Sequence, residues 1–261
     1  MIQSSLATTI DARSHVPLEG ALPALGRAAL FFDVDGTLLE IQPEPDDVVC
    51  DAELRALLEG LLTHCQGALA LISGRSLDGI DRIFSPLKLT AVGLHGAEMR
   101  DAAGNVRRAD PHIMDHARAA VRDFVETHDG LVLEDKGATL AVHYRKRPDL
   151  GAQALAFLLR FSPGDDLAVQ EGKFVVELKP ARYDKGSAIA TLMRTPPFEG
   201  RTPVFFGDDL TDETGFAAIN RIGGVSVRIG DAHVRTHAQY TLPDCASLRA
   251  TLWRRLREAR P

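Results

Sequence analysis

Five aspartates fall in two short segments of the 261-residue chain, Asp33-Val34-Asp35-Gly36-Thr37 and Gly207-Asp208-Asp209-Leu210-Thr211-Asp212-Glu213. Each segment directly follows an apolar run, residues 28–32 in the first case and 203–206 in the second. A single Asp-Gly after a strand is more often a turn, and Asp208-Asp209 alone would suit a solvated loop or a helix N-cap. Two carboxylate clusters at two strand ends carry more. Ligands of open α/β sheets bind outside the carboxyl ends of the strands. Like charges crowded there need a cation to neutralise them. Several oxygen donors without a His or Cys cluster favour a hard ion such as Mg²⁺.

A phosphoryl group needs cations and N–H donors around its oxygens. Ser73-Gly74-Arg75, after a second apolar run, offers a hydroxyl, a permissive backbone and a guanidinium, although Ser73 would equally serve as a helix N-cap. Lys185-Gly186 offers an ammonium at the start of a later helical pattern, where a lone lysine is usually a solvated surface residue.

The elements that must position these groups alternate. Apolar runs at 28–32, 68–72, 90–94, 203–206 and 225–229 lack polar alternation, the pattern of strands buried on both faces. Helical patterns lie between them at 52–62 and 77–84, and later at 185–194, 216–222 and 248–259. This rhythm predicts a doubly wound parallel α/β sheet, with a hairpin turn at 101–105. Between 110 and 179 the texture changes to helix, two strands, helix, two strands. Such an αββαββ unit predicts an α+β insert. The expected organisation is a flexible leader at 1–26, a discontinuous core at 27–109 and 180–261, and a cap at 110–179, joined by linkers near 107–111 and 179–184.

Bulk properties narrow the function. A net charge of −6 leaves no excess of Lys and Arg to neutralise a polynucleotide. Cys50, Cys65 and Cys245 are sparse and without C-x-x-C spacing, which argues against a disulfide framework or a zinc site and for a reducing cytoplasm. No segment reaches the roughly 18 apolar residues of a membrane span, and residues 1–26 have no apolar core of the kind a signal peptide needs.

The ordered set Asp33-Val34-Asp35-Gly36-Thr37, Ser73, Lys185 and Gly207-Asp208-Asp209 resembles the four motifs of the haloacid dehalogenase (HAD) superfamily of phosphotransferases. The set spans nearly the whole chain, and the insert falls where that superfamily carries its type 2 caps. Finer features are similar to the trehalose-6-phosphate phosphatase family: Phe31 through Leu38, Leu71-Ile72-Ser73-Gly74-Arg75, Gly93-Leu94-His95-Gly96-Ala97-Glu98, His143-Tyr144-Arg145, Gly172 through Glu177, and Gly207 through Glu213.

The resemblance implies a HAD-like Rossmannoid core with a type 2 cap, and a cytoplasmic phosphatase acting on trehalose 6-phosphate. It implies Asp33 as covalent nucleophile and Asp35 as general acid and base. Mg²⁺ is then held by the Asp33 carboxylate, the Asp35 carbonyl and Asp208, with Asp209 and Asp212 orienting its waters. Thr37, Ser73, Gly74 and Lys185 hold the phosphoryl oxygens. Arg75, His95, Glu134, Lys136, His143, Arg145, Lys173 and Glu177 are candidates to meet the sugar, and the cap residues among them equally suit the wet face of a strand. Glu98 suits either a substrate contact or a structural one. No nucleic-acid or membrane partner is expected, and transient contact with a trehalose-phosphate synthase fits the resemblance. The rivals are a phosphatase for sucrose 6-phosphate or a glucosylglycerate phosphate, a sugar phosphomutase, and a non-catalytic partner of such a synthase; the last fits poorly with Asp33, Asp35, Lys185 and Asp208 all being present.

Overall fold

The computed structural model describes residues 17–42, 48–164, 166–172 and 174–259. A short helix α1 (Leu18–Ala21) leads to strand β1 (Ala28–Phe32). Then follow α2 (Ala52–His64), β2 (Leu69–Ile72), α3 (Leu77–Phe84), β3 (Thr90–Gly93), β4 (Glu98–Arg100) and β5 (Val106–Arg108). The insert contributes α4 (Asp115–Glu126), β6 (Val132–Asp135), β7 (Leu140–His143), α5 (Gly151–Leu158), β8 (Leu167–Gly172) and β9 (Val175–Pro180). The chain ends with α6 (Lys185–Leu192), β10 (Thr202–Gly207), α7 (Glu213–Arg221), β11 (Val225–Ile229), β12 (Tyr240–Leu242) and α8 (Cys245–Glu258).

The main sheet has the order β12-β11-β10-β1-β2-β3-β4-β5, parallel from β12 to β3 and antiparallel through the β4–β5 hairpin. β1 and β10 lie side by side at its centre, with Phe32 opposite Phe206 and their rings stacked 5.1 Å apart. All five β1 residues are buried, because helices cover both faces. Helix α2 shows how the packing is written. Leu54, Leu57, Leu58 and Leu61 form its buried stripe, and the Asp51 carboxylate caps it by accepting the Leu54 N–H at 2.7 Å. Each such leucine removed from water stabilises by about 1.5–3 kcal/mol.

Two expectations need correction. The leader expected at 1–26 overlaps the core, since Leu18 and Leu25 are buried in it ahead of the first strand. Strand β12 was not foreseen: three half-buried residues at a sheet edge give too short an apolar pattern to read.

The insert is a second layer pair with its own core. Its antiparallel sheet runs β6-β7-β9-β8. Leu140, Val142, Val176 and Leu178 face α4 and α5, packing with Met114, Val121, Ala154 and Leu158. Side chains alternate across a strand. The pairings Glu134–Ala141, Ala141–Glu177, Gln170–Glu177 and Ala168–Lys179 therefore put Glu134, Glu177, Gln170 and Lys179 on the opposite, uncovered face.

Candidate active site

Asp33 stands at the carboxyl end of β1, and its N–H continues the ladder to the Phe206 carbonyl at 2.8 Å. Across the β1–β10 seam, β10 ends in Gly207 and hands the chain to Asp208. The two aspartate segments therefore meet because their strands are neighbours.

Gly36 is required here. Its φ of +86° is costly for any residue with a Cβ, and a Cβ would lie 2.1 Å from Asp208 Oδ2. Gly207 is equally constrained, since a Cβ there would lie 2.3 Å from Asp212 Cγ. Thr37, fully buried, donates from Oγ1 to Asp208 Oδ1 at 3.1 Å.

Lys185 opens α6. The turn is fixed by a capping box, in which Asp184 accepts from the Ser187 N–H and Ser187 Oγ accepts from the Asp184 N–H. From that position the Lys185 ammonium donates to Asp33 Oδ1 and to Asp212 Oδ1, both at 2.7 Å. Asp212 was expected to orient waters. It is instead fully buried, and its second oxygen accepts the N–H groups of Asp208 at 2.9 Å and Asp209 at 3.1 Å. Asp209 caps the turn that follows, accepting from the Thr211 N–H at 2.9 Å.

Four carboxylates thus crowd around one ammonium, which pairs directly with Asp33 and Asp212. Burial pushes the Asp33 carboxyl up to about 8 against the pull of Lys185, with Asp208 and Asp209 adding to the rise. Burial, then the charges of Asp212 and Asp209, raise Asp208 to about 7. Asp212 is also raised, by burial first and by Asp33 and Asp209, with Lys185 opposing. Burial works against Asp209 too, but the charge of Lys185 and the Thr211 hydroxyl hold it below its usual value. Burial disfavours the Lys185 charge as well, and Asp212 and Asp33 outweigh that and raise it.

Asp33, Asp208 and Asp212 each present an oxygen, and the three atoms lie within 4.8 Å of one another. Oxygen donors only, an excess of negative charge, and a glycine at the one position where a side chain would fill the space beside Asp208 all fit a small hard cation. Asp212 is one of these three, and both its oxygens already accept hydrogen bonds, one from Lys185 and one from the Asp208 and Asp209 N–H groups.

Asp35 turns the other way. Its carboxylate is gripped by Arg75 in a two-pronged pair, Nε to Oδ2 and the terminal nitrogen to Oδ1, both 2.7 Å. Arg75, a candidate to meet the sugar, thus stands beside the general acid and base of the reading. Ser73 is buried, and its Oγ accepts the Arg75 N–H at 3.1 Å. The cap of α3 is Ser76, not Ser73. Glu98 is structural: it accepts the Leu77 N–H at 2.8 Å and pairs with Arg108 at 3.0 Å.

The uncovered face of the insert sheet comes down beside this centre. His95, on the loop after β3, lies 3.3 Å from Glu177 Oε2, and Lys136 Nζ lies 3.3 Å from Glu177 Oε1. Burial alone would raise the Glu177 carboxyl, but the His95 hydrogen bond and the Lys136 charge hold it at about 2. Burial lowers His95 despite the opposing pull of Glu177. Glu134 pairs with His143 at 2.9 Å, a bond that holds Glu134 below its usual value. Arg145 sits apart from these, 5.8 Å over the Phe174 ring. Lys173 lies outside the described residues.

Sequence reasoning missed Gln170 and Lys179. Gln170 approaches His95 at 3.1 Å, and both residues border a cavity of about 280 Å³ with Lys185, Leu210 and Thr211. Strand alternation carried the signal, for each stands two residues or one pairing away from Glu177 on its face.

A haloacid dehalogenase-like hydrolase from B. subtilis shares this fold, with a TM-score of 0.63 at 14% identity over 86% of this chain and 99% of its own. The chain belongs to the trehalose-phosphatase family, whose model matches residues 31–245. It is therefore a phosphoric monoester hydrolase. It is 44% identical over 222 residues to trehalose-6-phosphate phosphatase of Escherichia coli strain K12, covering 82% of each chain. It is 31% identical over 237 residues to a bifunctional trehalose-6-phosphate synthase/phosphatase of Thermoproteus tenax, 87% of this chain and 31% of that one. The C-terminal domain of trehalose-6-phosphate phosphatase from C. albicans has the same fold, with a TM-score of 0.78 at 24% identity over 89% of this chain and 93% of its own. Among the described residues no helix is long and apolar enough to cross a membrane.

Proposed function

We propose that the chain hydrolyses trehalose 6-phosphate to trehalose and inorganic phosphate, the last step of trehalose biosynthesis, through an aspartyl phosphate on Asp33. The observation that carries this reading is the Lys185 ammonium shared between Asp33 and Asp212 at 2.7 Å. It fixes the Asp33 carboxylate in rotation and leaves the cluster short of positive charge.

The Asp33 carboxylate attacks phosphorus in line, forming an O–P bond as the bond to the sugar oxygen breaks. Asp35, protonated and with one oxygen released from the Arg75 pair, gives the departing sugar oxygen its proton. In the second half Asp35 takes a proton from water, whose oxygen attacks phosphorus and frees Asp33 and phosphate. Thr37, Ser73, Gly74 and Lys185 orient the phosphoryl oxygens.

Mg²⁺ held by Asp33, the Asp35 carbonyl and Asp208 supplies charge neutralisation between the carboxylate and the phosphoryl oxygens. Asp212, brought close by the same geometry, adds a fourth oxygen source. Glu134, Lys136, His143 and Glu177 present hydrogen-bonding groups to the sugar hydroxyls from the cap. Transient contact with a trehalose-phosphate synthase belongs to the same reading, because the Thermoproteus tenax relative joins the two activities in one chain.

The test is phosphate release from a panel of sugar phosphates, with Mg²⁺ and with a chelator. Release from trehalose 6-phosphate that the chelator abolishes is expected. Release from another sugar phosphate instead would discard the substrate, and isomerisation without phosphate release would point to a mutase.

A further inference from the structure

His95 meets both the phosphate loop and two strands of the cap with its side chain. Its backbone N–H donates to the Ser73 carbonyl at 3.1 Å, and the Leu94 N–H donates to the Arg75 carbonyl at 2.9 Å. Those two bonds lock the loop after β3 onto the segment that carries Ser73 and Arg75. Leu94 and His95 have φ of 48° and 55°, a left-handed conformation that non-glycine residues adopt only when their surroundings impose it. The strained turn throws the imidazole across Gly74. A Cβ on Gly74 would lie 2.6 Å from both His95 Cε1 and Nε2, although its backbone conformation suits any residue.

The ring also meets the cap through Nε2, which lies 3.3 Å from Glu177 Oε2 and 3.1 Å from the Gln170 side-chain amide nitrogen, and serves either as donor to the first or as acceptor from the second. The cavity of about 280 Å³ beside it gives the ring a place to withdraw.

We infer that His95 is a positioning residue that transmits closure of the cap to the loop carrying Ser73 and Arg75. When Glu177 and Gln170 come down, they hold the imidazole against Gly74. The loop is then fixed with Arg75 on Asp35. When the cap lifts, the ring loses its outer partners, and the loop loses its brace. This rests on the functional reading above. It goes beyond that reading in giving His95 a coupling role, exerted through the side chain that lies across Gly74.

Such a role predicts selectivity between substrates. A sugar phosphate large enough to engage Glu177 holds the cap down, whereas p-nitrophenyl phosphate has no sugar hydroxyls to do so. The experiment compares kcat/KM for these two substrates in the full-length chain and in His95→Ala, His95→Gln, Gly74→Ala and the His95→Ala/Gly74→Ala pair.

His95→Ala and Gly74→Ala should each lose at least about tenfold more on trehalose 6-phosphate than on p-nitrophenyl phosphate. The double variant should match the worse single rather than the product of the two, because both break one contact. His95→Gln, which keeps a donor for Glu177, should recover part of the loss. Amide exchange in β8 and β9 should quicken in His95→Ala. Equal losses on the two substrates, multiplicative losses in the double variant, or unchanged exchange would overturn the inference. Parent protein that releases no phosphate from trehalose 6-phosphate would sink the functional reading instead, and so the two failures are distinguishable. Gly74→Ala and His95→Gln keep the test open if His95→Ala does not fold.

Discussion

Two buried carboxylate centres face each other across the seam between core and cap, and they are wired in opposite ways. In the core, four aspartates crowd around one lysine, so burial prevails and Asp33 and Asp208 are pushed up to about 8 and 7. In the cap, Glu177 is just as buried, but His95 and Lys136 each satisfy one of its oxygens and hold it at about 2. Burial is common to both; the balance of partners differs. A centre left short of positive charge is built to receive a cation, and a centre already balanced is built to present fixed hydrogen bonds. The division matches chemistry in the core and selection in the cap.

The sharpest way to break that comparison is to remove the nucleophile. Asp33→Asn should lower kcat by at least about 10⁴-fold on every phosphate ester, large or small. Steady-state rates on trehalose 6-phosphate and p-nitrophenyl phosphate measure it. A loss confined to the sugar phosphate would move the chemistry out of the core.

Removing the shared cation comes next. Lys185→Ala leaves Asp33 and Asp212 buried without their ammonium, a change that typically destabilises by about 3–5 kcal/mol. Denaturant melts at neutral pH should show it, and millimolar Mg²⁺ should restore part of the stability. A melt indifferent to Mg²⁺ would deny that the cluster seeks a cation.

In the cap, Glu177→Gln should reduce kcat/KM for trehalose 6-phosphate by about 10- to 100-fold, the scale of losing a charge-assisted hydrogen bond. The loss on p-nitrophenyl phosphate should be much smaller. Equal losses on the two would erase the distinction between the centres.

Stability against pH separates the two centres by sign. The raised core carboxyls bind protons more tightly folded than unfolded. With chelator present, their contribution to stability should therefore fall as pH rises from about 4 to 8. The lowered Glu177 stabilises the fold above the ordinary carboxylate range, and that contribution is lost as pH falls toward about 2. Melts across pH, in the parent and in Glu177→Gln, separate the two slopes.

How much of this was legible in the sequence follows from the range of each interaction. The core strands were readable because unbroken apolar runs such as Ala28–Phe32 can only be buried on both faces. The meeting of Asp33 with Asp208 was readable too, since both follow central strands directly. Neither the capture of Asp35 by Arg75 nor the burial of Asp212 under Lys185 has a local signature. Those pairs form between residues 40 and 27 positions apart, and only the fold sets their distance. The cap's polar face was visible as alternation, but which of its residues would reach the core was not. Gln170 does so because its pairing with Glu177 across β8 and β9 puts the two on one face, beside His95. Lys173 lies outside the described residues.

The most direct test of the central assignment is to catch the phosphoryl group on Asp33. Enzyme mixed with trehalose 6-phosphate and Mg²⁺ is quenched within a turnover and reduced with borohydride, which converts an acyl phosphate to an alcohol. Peptide mass spectrometry should then find homoserine in place of Asp33, absent when substrate is omitted or when Asp33→Asn is used. Unmodified Asp33 under conditions where phosphate is released, or the modification at another carboxylate, would contradict it.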